Sequence, residues 1–219
     1  MKAAHLLFIL ILGSLGIATT QAAPQKVTPL FWPEQKLIPM QVHYKEAMSD
    51  GLDFTITEFS NSTLPLYSPS MKAWKQVGEL THRNASAAFA NNRNASIKTG
   101  ITLVKSKDWL GELNKENLDR YVQALRNLHS NYFTLLNSDP EFSPVHGSAF
   151  LVGNPYKMVH YHIASRENPN AIMEIRDFIT QIDDTLLIVS FESPKDLASH
   201  NTGMALNLMA SLSSLDDLE

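Results

Sequence analysis

Four strand-like segments near the carboxyl end, joined by short turns, constrain the fold of this chain more than any other feature. The segments cover residues 145–152, 156–165, 172–182 and 185–191. Gly153-Asn154-Pro155 separates the first two, and an Asp183-Asp184 corner separates the last two. Because connections this short join antiparallel neighbours, the sequence predicts a four-stranded antiparallel meander. The last segment is apolar on both faces, which is typical of a central strand.

Two amphipathic helices are predicted to flank this meander. Within residues 114–136, apolar side chains recur at three- and four-residue steps from Leu118 onwards, and Asp139-Pro140 ends the run. The last helix is predicted to begin with Ser193 as its N-cap and Pro194 in its first turn. Since each helix has one apolar face, we expect both to pack on the sheet.

The amino-terminal half is predicted to contain a hairpin and two shorter helices. Apolar and polar residues alternate in 37–44 and 52–59, on either side of a turn at Ser49-Asp50-Gly51, which indicates paired strands. An apolar stripe at three-residue steps predicts a helix over 70–80. The alanine-rich stretch 85–92 predicts a second helix.

The elements together predict an α+β domain with one antiparallel sheet packed against helices. A further strand at 97–104 brings the expected sheet to about six or seven strands. Helix-grip and cystatin-like folds are the alternatives, because a helix followed by a meander and a closing helix suits them as well. The predicted organisation is a loose lead-in over 23–36, one domain over 37–215 and a tail over 216–219.

Residues 1–22 have the pattern of an export signal. Lys2 supplies the positive start, an apolar stretch follows, and Thr20 and Ala22 place small residues before the expected cleavage site. The apolar stretch is too short to cross a bilayer. The sequence therefore predicts a protein that is exported and trimmed, and that works in the periplasm or outside the cell.

Composition excludes several classes of function. The net charge is −4, and it becomes −5 once the leader with its single Lys2 is removed. A mildly acidic body disfavours nucleic acid and anionic lipid as partners, and no later segment is apolar enough to span a membrane. The chain has no cysteine, which excludes disulfides, thiol catalysis and thiolate metal sites. An exported chain without cysteine favours a bacterial source.

Histidines and a carboxylate of the meander form the candidate metal site. His160 and His162 lie two apart on one strand, so their side chains share a face. The turn lengths place His146 opposite His162 on one side, and Glu174 opposite His162 and Arg176 opposite His160 on the other. Imidazoles with a carboxylate are a ligand set for zinc or copper. Because the positive charge of Arg176 opposes a cation, we predict an ordinary polar sheet face with no metal or cofactor.

No coherent catalytic set is visible in the sequence. His146-Gly147-Ser148 has the residue types of a hydrolase but lacks the glycine spacing of a nucleophile elbow. No glycine-rich phosphate loop occurs either. The Asp183-Asp184 pair is typical of a turn. We therefore assign no catalytic residue and favour a non-enzymatic role.

The segment 172–215 resembles the carboxyl half of PsbP/Mog1-like domains. The features that carry the resemblance are a strand ending at Ile182, the Asp183-Asp184 corner, a buried strand, and Ser193-Pro194-Lys195-Asp196 at the start of the last helix. The resemblance implies a twisted antiparallel sheet packed between helices. Known members of that family are mostly non-catalytic accessory or interaction proteins, so the resemblance implies binding rather than turnover. It implies no particular site residues.

Three hypotheses for the function follow. The first is an exported, non-enzymatic accessory protein that binds another protein of the cell envelope or exterior. The second is a carrier of a small ligand or lipid, in which the long helix and the sheet enclose an apolar cavity. The third is a metal-binding protein or metal-dependent enzyme that uses His146, His162 and Glu174, with His160 beside them.

Overall fold

The computed structural model describes residues 28–49, 51–69, 71–135, 141–144 and 152–214. Within them, a small sheet consists of Gln41–Ser49 (β1), Leu52–Ser60 (β2), Leu66–Ser68 (β3) and Ser213–Ser214 (β12). A large sheet consists of Trp74–Val77 (β4), Ala87–Asn91 (β5), Lys98–Lys105 (β6), Phe133–Leu135 (β7), Glu141–Pro144 (β8), Lys157–Ser165 (β9), Ile172–Ile182 (β10) and Thr185–Pro194 (β11). The helices are Lys115–Tyr132 (α1) and Ala198–Ser211 (α2).

Both sheets are antiparallel, which confirms the predicted α+β fold class. The small sheet has the order β1-β2-β3-β12, and the large sheet has the order β4-β5-β6-β11-β10-β9-β7, with β8 also paired to β9. β11 lies between β6 and β10, and all its residues except Pro194 are buried. The predicted central strand is therefore central, as its apolar character on both faces requires.

The turn between β9 and β10 sets the register that its length predicts. Glu174 pairs with His162, and Arg176 pairs with His160. A slip of one residue would move these side chains to opposite faces of the sheet, so the short turn fixes which groups meet.

The other edge of β9 is shared by two short strands. β8 pairs with the first half of β9, placing Glu141 opposite His160, and β7 pairs with the last three residues of β9. The strand predicted over 145–152 lies outside the described residues except for Val152, which is in a turn. The predicted pairing of His146 with His162 therefore also lies outside the described residues.

The two helices predicted over 70–80 and 85–92 are wrong. Met71–Ala73 forms one turn of 3-10 helix and leads directly into β4, while the alanine-rich segment is strand β5. Every residue of β5 is buried between β4 and β6, with Ala87 paired to Ile101. Pairing and burial in the sheet override the helix propensity of alanine, which is worth under about 1 kcal/mol per residue.

Apolar side chains pack against both faces of the large sheet. Between the sheet, the small sheet and α2, on what we call the α2 face, lies a cluster that includes Phe59, Leu66, Phe89, Ile101, Phe178, Leu187 and Met209. Between the sheet and α1, on the α1 face, lies a cluster that includes Val104, Leu118, Tyr121, Leu125, Tyr161, Ile175 and Ile188. Burial of one side chain of this size stabilises the fold by about 1.5–3 kcal/mol.

Candidate functional site

A solvent-open cleft of about 560 Å³ lies at the α1 face, beside the loop that joins β4 to β5. That loop, the lead-in, α1 and the β9–β10 turn supply its lining, which is Glu34, Glu79, Leu80, Thr81, His82, Arg83, Asn84, Leu128, Ser165, Arg166 and Glu167. The carboxylates of Glu34, Glu79 and Glu167 are exposed on the rim, together with the guanidinium of Arg166. The rim is therefore acidic.

The floor of the cleft rests on the buried guanidinium of Arg83. Its Nη2 donates to Asp177 Oδ1 at 2.5 Å and also contacts the Ser190 hydroxyl. The other carboxylate oxygen, Asp177 Oδ2, accepts hydrogen bonds from the Tyr121 hydroxyl at 2.7 Å and from the Tyr161 hydroxyl at 3.0 Å. Both oxygens of this buried carboxylate are therefore satisfied, as a charge removed from water requires.

Trp32 covers the same guanidinium from the lead-in. Arg83 Cζ lies 4.1 Å from the centroid of the indole ring, which is a cation–π contact. The indole Nε1 of Trp32 donates to the carbonyl of Asn84 at 3.1 Å, and its ring packs edge-on against Trp109 at 5.2 Å. Trp32 thus fastens residues 28–36 and the cleft loop to the body of the domain.

A second buried pair lies next to Arg83 in the sequence. Nδ1 of His82 contacts Glu192 Oε1, and the backbone N–H of Thr81 donates to Glu192 Oε2 at 2.9 Å. Burial alone would raise the pKa of Glu192, but the contacts with His82 and Thr81 outweigh it and lower the pKa to about 2. The carboxylate is therefore ionised in the folded protein at neutral pH.

The electrostatics of the Arg83 group are those of a closed structural network. Burial by itself would lower the pKa of Arg83, but the adjacent Asp177 carboxylate outweighs it, and the pKa rises well above its ordinary value. Burial raises the pKa of the Tyr121 and Tyr161 phenols well above their ordinary range. The arginine stays charged and the tyrosines stay neutral donors, so the network holds the cleft loop in place rather than exchanging protons.

A different polar cluster lies on the α2 face of β9 and β10. His160 Nε2 lies 3.3 Å from Glu174 Oε1, and His162 Nε2 lies 3.7 Å from Glu174 Oε2. Arg176 Nε donates to Glu174 Oε1 at 2.8 Å, and Arg176 Nη2 lies 2.5 Å from the same oxygen. The side chains of His160, His162 and Glu174 are only 20%, 19% and 12% exposed.

Of this cluster, His162 has a shifted ionisation. Burial is the largest cause and His160 the next, and together they lower the pKa of His162 despite the nearby Glu174 carboxylate. This environment favours the neutral imidazole, which is the form of histidine that binds metals.

The structure brings together three of the four metal-site candidates. His160, His162 and Glu174 meet on one face, and their ligand atoms all lie within 4.8 Å of one another. Arg176 pairs with Glu174, as the sequence predicted from its position on the same face. His146 lies outside the described residues.

Sequence reasoning missed the buried network under the cleft. Its signal was present in two strands: Asp177 lies on the same face of β10 as Ile175 and Ile179, and Glu192 follows the apolar run of β11. An acidic residue in a strand buried on both faces requires a cationic or donor partner from elsewhere in the chain. No spacing rule identified His82 and Arg83 as those partners, because they lie in a loop about 95 to 110 residues away.

The sheet order, the two helices and the central β11 define an α+β domain built on antiparallel sheets. No family model matches the sequence, and no curated protein matches it. Neither of the two helices in the described part of the chain is long and apolar enough to cross a membrane.

Solved structures are similar in fold. Cyanobacterial PsbP (CyanoP) from Synechocystis sp. PCC 6803 matches with a TM-score of 0.51 at 8% identity, covering 77% of this chain and 97% of CyanoP. The Ran-binding protein Mog1p of Saccharomyces cerevisiae gives 0.44 at 14% identity, over 81% of this chain and 98% of Mog1p. LpqN of Mycobacterium tuberculosis, involved in cell envelope biogenesis, gives 0.40 at 11% identity, over 78% and 91%. The likeness to CyanoP confirms the predicted PsbP-like fold, and at this identity it concerns the fold alone.

Proposed function

We propose that this chain is an exported, non-enzymatic accessory protein whose cleft binds a basic segment of another protein of the cell envelope or exterior. The observation that carries the proposal is the open, acidic cleft built on a buried network in which Arg83 pairs with Asp177 and His82 with Glu192. A preorganised site loses little conformational entropy on binding, which is what a recognition surface needs.

The rim supplies the specificity. Glu34, Glu79 and Glu167 outnumber Arg166, so a segment with lysine or arginine side chains gains electrostatic complementarity there. Leu80 and Leu128 add apolar contact surface within the cleft. Exposed carboxylates contribute more to orientation and to the association rate than to affinity, so we expect salt to weaken binding.

A catalytic role has less support. Asp177 and Glu192, the buried carboxylates beneath the cleft, are both engaged by fixed partners. The tyrosines are held as neutral donors, so neither offers a phenolate at neutral pH. The PsbP/Mog1-like resemblance also implies binding rather than turnover.

The carrier hypothesis requires an apolar cavity between α1 and the sheet. The described side chains of that layer, such as Tyr121, Leu125 and Tyr161, pack into one buried cluster. A second cleft, of about 740 Å³, is open to solvent, and its lining combines Lys72, Arg93 and three asparagines with Ala73, Ile97 and Met204. Neither space favours a lipid over a protein segment.

Export is proposed from residues 1–22, and it has a direct test. Sequencing the amino terminus of protein recovered from the periplasm or the culture medium should begin at Ala23. Protein that stays in the cytoplasm with Met1 intact would contradict the proposal.

Site-specific photo-crosslinking tests the cleft. We expect a photoreactive amino acid at Glu79 or Arg166 to give the same protein adduct in living cells, whereas one at the exposed Tyr44 of β1 should not give that adduct. Charge reversal of Glu34 and Glu167 to lysine should remove the adduct from position 79. An adduct that also forms from Tyr44, or that survives charge reversal, would contradict binding in this cleft.

A further inference from the structure

Two histidines and one glutamate converge on the α2 face, away from the cleft. Val159, Tyr161 and Ile163 of β9 pack against the α1 face, so the alternation of the strand directs His160 and His162 to the opposite face. The register of β10 then places Glu174 opposite His162. The alternation of β9 and the register of β10, both fixed by the backbone, thus bring three metal-binding side chains together.

The separations of the ligand atoms suit a tetrahedral ion. With bonds of 2.0–2.1 Å, two ligand atoms of a tetrahedral zinc site lie about 3.3 Å apart. His160 Nε2 lies 3.3 Å from Glu174 Oε1, and His162 Nε2 lies 3.7 Å from Glu174 Oε2, so each histidine approaches a different oxygen of the carboxylate. Both separations are close to the tetrahedral value.

Arg176 competes for one oxygen of this carboxylate. Both of its contacts, from Nε and from Nη2, go to Glu174 Oε1, the oxygen that His160 also approaches, while Oε2 faces His162. Carboxylate ligands are commonly held by an outer hydrogen-bond donor of this kind. The positive charge of Arg176 lowers the affinity for a cation, so we expect binding in the micromolar rather than the nanomolar range.

We propose that His160, His162 and Glu174 form a binding site for zinc or a chemically similar divalent transition-metal ion. The site supplies three protein ligands, and water reaches the fourth position because the side chains are partly exposed. The proposal is independent of partner binding in the cleft, which lies on the other face of the sheet.

Isothermal titration of the purified, chelator-treated protein with zinc chloride tests the site. We expect one zinc ion per chain, and at least tenfold weaker binding for His160→Gln, His162→Gln and Glu174→Gln. His43→Gln is the matched control, because His43 is an exposed histidine on β1. We expect it to bind zinc like the unmodified protein.

X-ray absorption at the zinc edge supplies the second measurement. Two imidazole nitrogens at about 2.0 Å from zinc are expected in the unmodified protein, and one in His162→Gln. Circular dichroism of each variant shows whether it is folded. The absence of zinc binding by the unmodified protein, equal affinity in folded His162→Gln, or loss of binding in His43→Gln would each overturn the proposal.

Discussion

The two faces of β9 and β10 carry polar clusters of similar chemistry in opposite environments. On the α1 face, Asp177 pairs with a buried arginine and two buried tyrosines. On the α2 face, Glu174 pairs with Arg176 near two histidines that are partly exposed. Each is a carboxylate of β10 paired with an arginine, which comes from the β4–β5 loop for Asp177 and from β10 itself for Glu174.

The comparison shows that burial decides whether a charged group is held by fixed partners or can exchange them with water. A buried carboxylate cannot fall back on water, so every partner of Asp177 is fixed and losing one is costly. Glu174 retains partial access to solvent, its side chain being 12% exposed, so water can replace a lost partner in part and the loss costs less than at Asp177. The buried cluster therefore supports the fold and the cleft, while the partly exposed cluster is the one at which we propose a metal ion binds.

The largest effect is expected from Arg83→Met. This substitution leaves the Asp177 charge buried without its cationic partner, and we expect a loss of about 3–5 kcal/mol in the free energy of unfolding. Urea denaturation measures it. If the variant is too unstable to purify, Arg83→Lys, which keeps the charge but loses the planar fork, should show an intermediate loss. A loss below about 1 kcal/mol for Arg83→Met would contradict a structural role for the buried pair.

The next effect depends on pH and concerns Glu192. Its pKa is about 2 in the folded protein against an ordinary value of 4.5, so its stabilisation is complete above pH 4.5 and is lost as the pH falls toward 2. The linked free energy is about 3 kcal/mol. The stability gap between the unmodified protein and Glu192→Gln should therefore shrink by up to that amount on acidification.

Asp184→Asn is the matched control for that titration. Asp184 is exposed and pairs with Lys105 at 2.7 Å, which lowers the pKa of its carboxyl through the hydrogen bond from Lys105. Because solvent screens an exposed pair, we expect the corresponding gap to change little with pH. An equal dependence in both variants would refute the assignment of the acid-sensitive stability to the buried pair.

Removal of one buried hydroxyl group should have a smaller effect on stability. Tyr161→Phe removes one of the two phenol donors to Asp177, and a hydrogen bond to a buried charge contributes about 2 kcal/mol. Tyr44→Phe, on the exposed strand β1, should be neutral. Thermal denaturation of the two variants side by side gives the difference, and equal melting temperatures would contradict it.

The smallest effect is expected from Arg176→Met on the open face. The side chains of Arg176 and Glu174 are 21% and 12% exposed, so solvent screens this pair more than the fully buried pair of Arg83 and Asp177, and we expect a loss of about 1 kcal/mol. Urea denaturation under the conditions used for Arg83→Met gives the two losses in free energy of unfolding on the same scale. A loss comparable with that of Arg83→Met would show that burial is not the deciding factor.

The sequence predicted the elements whose signals are local. The turn between Ser165 and Ala171 has a length that fixes the register, so the pairing of Glu174 with His162 was predictable. The apolar spacing from Leu118 to Leu125 likewise identified α1 and its buried face.

Features determined by distant parts of the chain were not predictable. Alanine at 87, 88 and 90 favours a helix locally, yet β4 and β6 capture the segment as a strand. The pairing of Arg83 with Asp177 joins a loop to a strand 94 residues away, and no local pattern encodes it. The candidate cleft rests on that pair, so sequence reasoning did not locate it.

The most direct test of the central claim is a pair of double-mutant cycles, on Arg83 with Asp177 and on Arg176 with Glu174, measured by urea denaturation at pH 7. If burial decides how firmly a pair is held, Arg83 and Asp177 should show a coupling energy of about 2–3 kcal/mol. Arg176 and Glu174 should show less than about 1 kcal/mol. Equal couplings, or a larger one on the open face, would contradict this account.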